Sequence, residues 1–133
     1  MKKVYLDAGH GGRDPGAVGN GLKEKDIVLP VTLKMGDILK RHGLEVVYSR
    51  TIDTFLELHE RANKANQAKT DVFVSIHCNS ATNTSARGVE TYSYLGSVEG
   101  GKLAKAIQDS VINAKIFSHN RGTKKANLDR KSV

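Results

Sequence analysis

Short β-rich runs and helix-period segments alternate along nearly the whole chain, and that alternation restricts the fold more than any other feature. Lys3–Asp7, Leu44–Ser49, Val72–Ile76 and Val89–Leu95 read as strands, rich in β-branched and aromatic residues and bounded by turn formers. Val72–Ile76 is almost continuously apolar, as expected of a strand covered on both faces. Between the first two runs, Ile27, Val31, Met35 and Ile38 recur at helical spacing from about Glu24 to Arg41, with Gly43 as a stop. Pro30 lies inside that stretch, so the helix is expected to begin near it or to kink there. Thr54 and Glu57 match a capping box opening a second helix through about Ala68. Ser97 caps a third, with Leu103, Ala104, Ile107 and Val111 as its apolar stripe. Ala81–Ala86 reads as a polar loop, and after Ile116 the chain turns polar and basic. Parallel strands need crossovers of about helix length. The pattern therefore predicts an α/β fold: one layered domain over residues 1–133, a twisted, mostly parallel sheet, and helices on both faces.

Composition excludes several function classes. Lys and Arg outnumber Asp and Glu by 21 to 14, a formal net charge of +7, so polyanions are attracted. Modules that stack on bases interleave basic and aromatic side chains. With no Trp, four Tyr and three Phe, no such interleaving exists, so no nucleic acid partner is expected; anionic lipid and acidic cell-wall polymers both remain candidates, and charge alone does not choose between them. The single cysteine, Cys78, rules out an internal disulfide and a Cys-rich zinc site, and reads as a small, partly buried filler. No apolar run approaches the roughly 18 residues of a spanning helix, so no membrane span is expected. Met1-Lys2-Lys3 begins like an export signal, but Asp7 ends the apolar stretch at once.

In open α/β sheets, ligands gather beyond the carboxyl ends of the strands. His10 follows the first strand within Asp7-Ala8-Gly9-His10-Gly11-Gly12, and His77 follows the apolar strand within Ser75-Ile76-His77-Cys78-Asn79. The glycines after His10 let the backbone turn sharply beside a bound ion. Glu24, at the start of the first helix, can return to the same edge once the Gly-rich loop folds back. Two histidines and a carboxylate with an open fourth position form a hydrolytic zinc arrangement. On the residues alone, a second reading stands beside this one. A strand-end histidine is commonly a hydrogen-bonded structural residue, and Glu24 suits a helix start through the helix dipole. Spacing by itself leaves both open.

The segment Leu6-Asp7-Ala8-Gly9-His10-Gly11-Gly12-Arg13-Asp14-Pro15-Gly16-Ala17 resembles the opening motif of zinc-dependent N-acetylmuramoyl-L-alanine amidases of the amidase-3 type. Gly21-Leu22-Lys23-Glu24-Lys25-Asp26 is similar to the second motif of that family, and Asp71 to Ser80 to its third. Ser49-Arg50-Thr51 with Asp53, Arg61-Ala62-Asn63, Gly88 to Tyr92 and Asn120 to Lys124 add supporting matches in the same order.

The resemblance implies Zn2+ held by His10, Glu24 and His77. It also implies hydrolysis of the amide joining N-acetylmuramic acid to the L-alanine of the peptidoglycan stem peptide by a zinc-activated water. Peptidoglycan is then the partner and the bacterial cell wall the place of action; with no signal peptide evident, lysis or sequence outside the chain would deliver it there. The family's general base is a glutamate on a late strand, and Leu128 to Val133 reaches only the stretch before that strand. The expectation is a piece of a longer protein with one sheet edge left unpaired. The alternative is a catalytically silent zinc- and peptidoglycan-binding module. Glu90 is the in-chain substitute for the base, with a structural strand residue as its plainer reading. Arg50 and Arg61 are candidates to grip an anionic peptide carboxylate, with ordinary helix and strand-end ion pairs at least as strong a reading, and Asn79 is a candidate to orient the site or the substrate. His42, His59 and His119 match no ligand motif, and the Lys124-Lys125 and Arg130-Lys131 pairs read as a solvated basic end.

Overall fold

Residues 2–79 and 87–127 are described by the structure, a computed structural model, and they group into two compact units, 2–79 and 87–127. Met1, Ser80, the polar loop expected over Ala81–Ala86, and the basic end from Leu128 to Val133 with its Arg130-Lys131 pair lie outside the described residues.

In the first unit, β1 (Lys3–Ala8) is the central strand and the most buried. A short hairpin follows, β2 (Val18–Gly19) against β3 (Leu22–Lys23), then α1 (Glu24–Arg41), β4 (Glu45–Tyr48), α2 (Leu58–Gln67) and β5 (Val72–Ile76). The sheet has the order β4-β1-β5 and is parallel throughout, with Leu6 opposite both Tyr48 and Val74, and Asp7 opposite Ser75. Side chains alternate between faces along a strand. Tyr48 therefore shares the Leu6 face, and α1 packs there, with Gly36 against the Tyr48 hydroxyl. Tyr5 and Asp7 share the other face, where Tyr5 stacks on Phe73 at 5.0 Å and Arg61 of α2 reaches Asp7. Helices thus cover both faces of this sheet. β5 is only half-buried rather than sealed on both sides.

Three local expectations are corrected. The stripe Ile27, Val31 and Ile38 is 39–46% exposed, and the face of α1 turned inward carries Glu24, Val28, Thr32 and Gly36. Close approach to the sheet selects small residues: a Cβ on Gly36 would strike Tyr48, and Thr32 returns its hydroxyl to the Val28 carbonyl at 2.7 Å. Pro30 neither starts nor ends α1, which runs through it; the residue sits on the exposed side, where water can serve the carbonyl its missing N–H leaves unbonded. The capping box lies three residues later than expected, between Glu57 and Glu60, with Glu57 N–H donating to Glu60 Oε1 at 3.0 Å.

The second unit is a β-α-β crossover: β6 (Val89–Tyr94), α3 (Val98–Asn113) and β7 (Asn120–Ala126), with β6 and β7 parallel. Ser97 caps α3 as expected, accepting from Gly100 N–H at 2.8 Å. Ala104 and Gln108 form its buried stripe, whereas Leu103 is 39% exposed. The Gln108 amide donates to the Val89 carbonyl and to Asn120 Oδ1, both at 2.8 Å, and accepts from Thr91 Oγ1, so a buried polar side chain is fully used. β7 occupies part of the stretch read from sequence as a polar, solvated basic end, where no strand was expected. Its Arg121 and Lys124 flank Glu90 of β6 at 3.2 and 3.1 Å, which is what lets so polar a segment pair as a strand.

Candidate metal centre

β1 delivers the chain to Gly9 and then to a tight loop closed by Gly11 N–H to the Asp14 carbonyl (2.8 Å) and Asp14 N–H to the Gly11 carbonyl (3.0 Å). The Asp14 carboxylate holds His10 Nδ1 at 2.8 Å and accepts from Gly16 N–H at 3.1 Å. The His10 hydrogen bond holds the Asp14 pKa below the usual carboxylate range. Asp14 on Nδ1 turns the ring so that Nε2 faces Glu24, and Nε2 is the nitrogen on offer to a cation.

Glu24 reaches the same point because Asn20 and Gly21, at φ 52° and 75°, fold β3 back on β2 and start α1 there. The glutamate is 4% exposed. Ala17 N–H donates to Oε1 at 3.1 Å and Cys78 N–H to Oε2 at 3.0 Å. Burial alone would raise its pKa; these two backbone donors, His10 and His77 outweigh burial and bring it down, so the group is a carboxylate at neutral pH. His77 stands one residue past β5, with Nδ1 at 3.0 Å from Glu24 Oε2, and His10 Nε2 lies 3.1 Å from the same oxygen. The imidazoles meet edge to face at 5.2 Å, and one ligand atom from each of His10, Glu24 and His77 lies within 4.8 Å of the other two.

The donor set fits a small divalent cation. Tetrahedral zinc with bonds of about 2.0–2.1 Å separates its ligand atoms by roughly 3.3 Å, and the two nitrogen–oxygen separations of 3.0 and 3.1 Å need only a few tenths of an ångström of adjustment. His77 is 45% exposed at its side chain, so one side of the cluster opens to solvent. Two glycines make room: a Cβ on Gly9 would lie 2.5 Å from His77 Cε1, and one on Gly16 would lie 2.7 Å from His10 Cδ2 and 2.8 Å from Glu24 Oε1.

Of the two readings of Arg50 and Arg61, the structure favours the internal one: both are turned inward, 3% and 4% exposed, and Arg61 pairs with Asp7. Arg50 donates to the carbonyls of Ala8, Gly9, Lys25 and Ile52, and Arg61 to those of Leu56, Ala8 and His10 and to Asp7. Their donors are used within the protein, so neither is placed to grip a substrate. Asn79 is exposed, two residues beyond His77. Cys78 is half-buried, and burial followed by the Glu24 charge raises its thiol pKa, which favours the protonated thiol over the thiolate. Glu90 belongs to the second unit. Burial would raise its pKa, but the Tyr92 hydroxyl, Lys124 and Arg121 hold it below the usual range. His42 turns to the Ile38 carbonyl, His59 is exposed, and His119 contacts Arg87 and Ser118.

Sequence reasoning overlooked Asp14, although a carboxylate four residues after His10 inside the first motif was a usable signal. It also missed the tie formed by Lys25 and Asp53. Lys25 Nζ donates to the Gly12 carbonyl at 3.0 Å and to Asp53 at 2.8 Å, and Asp53 accepts from Gly12 N–H at 2.7 Å.

The family model described as N-acetylmuramoyl-L-alanine amidase matches residues 4–131. The endolysin of Bacillus phage SPP1 is 44% identical over 96% of this chain, and the N-acetylmuramoyl-L-alanine amidase LytC of Bacillus subtilis is 39% identical over 92%. The chain spans 48% and 25% of the length of these two relatives. The amidase AmiC2 of Nostoc punctiforme superimposes with a TM-score of 0.92 at 39% identity, covering 99% of this chain and 74% of that one. By motif order, fold and sequence, the chain belongs to the amidase-3 family of N-acetylmuramoyl-L-alanine amidases.

Proposed function

We propose that this chain is the zinc-binding body of a peptidoglycan hydrolase that cleaves the amide between the lactyl group of N-acetylmuramic acid and the L-alanine of the stem peptide. The reading is carried by one observation: two imidazole nitrogens and a buried carboxylate oxygen converge at the carboxyl edge of a parallel sheet, in a chain of the amidase family. His10, Glu24 and His77 would hold the zinc ion, which when bound would supply the Lewis acidity needed to activate a water and to polarise the amide carbonyl.

The side chains contribute the rest. Asp14 fixes the ring direction of His10. Glu24, held ionised by Ala17 and Cys78 N–H groups, offsets the charge of a cation. The exposed flank of His77 leaves room for a muramoyl-peptide, and Asn79, exposed two residues further on, is the proposed group for orienting its polar atoms. The net charge of +7 favours an anionic wall surface. No helix among the described residues is long and apolar enough to cross a membrane, and the bacterial cell wall is the proposed place of action.

Proton transfer needs a base whose pKa approaches the working pH. Glu90, drawn downward by Tyr92 and two cations, is a poor one. That observation favours a second reading, in which the chain binds zinc and muramoyl-peptide without turnover. The purified chain should carry stoichiometric zinc, lost in His10→Ala and His77→Ala. Metal-free protein whose melting curve ignores chelators ends the zinc reading. Release of new N-terminal alanine from purified peptidoglycan by the zinc-loaded chain, absent in His77→Ala, supports the hydrolase. Zinc-loaded chain that binds muramoyl-peptide and releases none establishes the silent module.

A further inference from the structure

We propose that Arg61 sets the metal affinity of the site by locking His10 in a left-handed backbone conformation. The inference rests on His10 as a zinc ligand and adds a determinant outside the ligand set.

His10 has φ 63°, a region that residues with a Cβ rarely enter and keep only when their surroundings over-determine it. The Arg61 guanidinium supplies that constraint. Its Nη2 donates to the His10 carbonyl at 2.7 Å, and its Nη1 to the Ala8 carbonyl and Asp7 Oδ1, each at 2.7 Å. Arg50 Nη2 takes the intervening Gly9 carbonyl at 3.0 Å. Three consecutive carbonyls therefore end on two buried guanidiniums, and the His10 carbonyl cannot rotate away without abandoning a cation.

Arg61 is itself held. Asp7 pairs with it, and Ser75 Oγ donates to the other Asp7 oxygen at 2.6 Å. Asp7 lies on β1, three residues before His10; Ser75 lies on β5, two residues before His77. The line Ser75–Asp7–Arg61–His10 thus couples the ends of the two strands that carry the imidazoles. A planar fork can hold several acceptors at fixed angles, whereas a single ammonium cannot. With the ligands ordered during folding, little ordering remains to oppose binding. Without the fork, His10 relaxes toward negative φ and its ring leaves Glu24.

The test measures the zinc dissociation constant by competition with a chromogenic chelator, in the full chain and in Arg61→Lys and Arg61→Gln. Lysine keeps a cation beside Asp7 and loses the fork, so the constant is expected to rise about tenfold; glutamine, losing the charge too, about 100-fold. A merely structural arginine would lower the melting temperature and leave zinc affinity unchanged, so a folded Arg61→Lys with the parent's affinity overturns the proposal. The parent also tests it alone, whatever the variants do. Backbone 13C shifts of Ala8, Gly9 and His10 that already mark a left-handed His10 in metal-free protein, and hold on adding zinc, support it. Shifts that reach that state only with zinc overturn it. A parent that binds no zinc refutes the metal site itself, which separates that failure from an error about Arg61.

Discussion

Gly9→Ala isolates the position of one imidazole from the rest of the fold. A Cβ there would lie 2.5 Å from His77 Cε1, 2.6 Å from Nδ1 and 3.0 Å from Nε2, and no backbone atom is among its three nearest neighbours. Gly9 is not among the residues with positive φ, so alanine meets no left-handed strain of its own. Carbon–carbon contacts settle at about 3.5 Å, so the ring must retreat by about 1 Å. Metal sites tolerate displacements of only about 0.2 Å, and the His77 nitrogen would leave bonding reach. The expected loss of zinc affinity is at least about 100-fold, the upper end for substitutions that disturb ligand orientation. Overpacking should cost about 1–3 kcal/mol of stability, little enough for the chain to stay folded. Zinc affinity by chelator competition, beside melting curves with and without zinc, separates the two effects. Gly19→Ala is the control: it meets nothing within 4 Å and should change neither. A folded Gly9→Ala that binds zinc as tightly as Gly19→Ala would refute the steric reasoning.

Two further outcomes follow from buried groups and helix geometry. Asp7→Asn leaves the Arg61 cation buried without its partner and should cost about 3–5 kcal/mol in urea unfolding. Burial alone would raise the Asp7 pKa, but the hydrogen bond from Ser75, then the charge and hydrogen bond of Arg61, bring it below the usual carboxylate range. A depressed carboxylate stabilises the fold fully above its unfolded value and loses that contribution as pH falls through the folded one. Stability of the parent should therefore decline below about pH 4, and more shallowly in Asp7→Asn, which keeps the other depressed carboxylates Asp14, Glu24 and Glu90. Pro30→Ala should raise the urea midpoint by restoring a helical N–H, by up to about 3 kcal/mol less the roughly 0.4–1 kcal/mol of unfolded-chain entropy that proline removes; an unchanged midpoint would mean that α1 is already relaxed around the ring.

Much of the first unit was legible because its signals are local. The α1 boundaries, Glu24 and Arg41, follow from apolar period and a glycine stop, and β1, β4 and β5 from β-rich runs. The inward face of α1 was not legible: counting apolar residues selects Ile27, Val31 and Ile38, whereas the sheet accepts Val28, Thr32 and Gly36 because they permit close approach. β7 was missed because Asn120–Ala126 lacks an apolar period and draws its stability from pairing with β6 and from Glu90 opposite its cations. Asn20-Gly21, a strong hairpin signal, was readable and overlooked. In the site, the motif order named the family and the strand ends drew attention to His10 and His77. Arginine chemistry alone left substrate anions and internal ion pairs both open, because nothing local says whether a guanidinium faces solvent or the chain's own acceptors.

By itself, the sequence determined the succession of strands and helices, the membership in the amidase-3 family, and two histidines at the carboxyl ends of strands. Tertiary structure alone decided that Glu24 meets both imidazoles and that two arginines are buried. It also decided that His10 adopts a left-handed turn. Local period reflects neighbours within a turn or two of chain, whereas the bonds that set these outcomes join residues such as Glu24 and His77, 53 positions apart, or His10 and Arg61, 51 apart. Those contacts exist only once the sheet has brought distant strand ends to one edge.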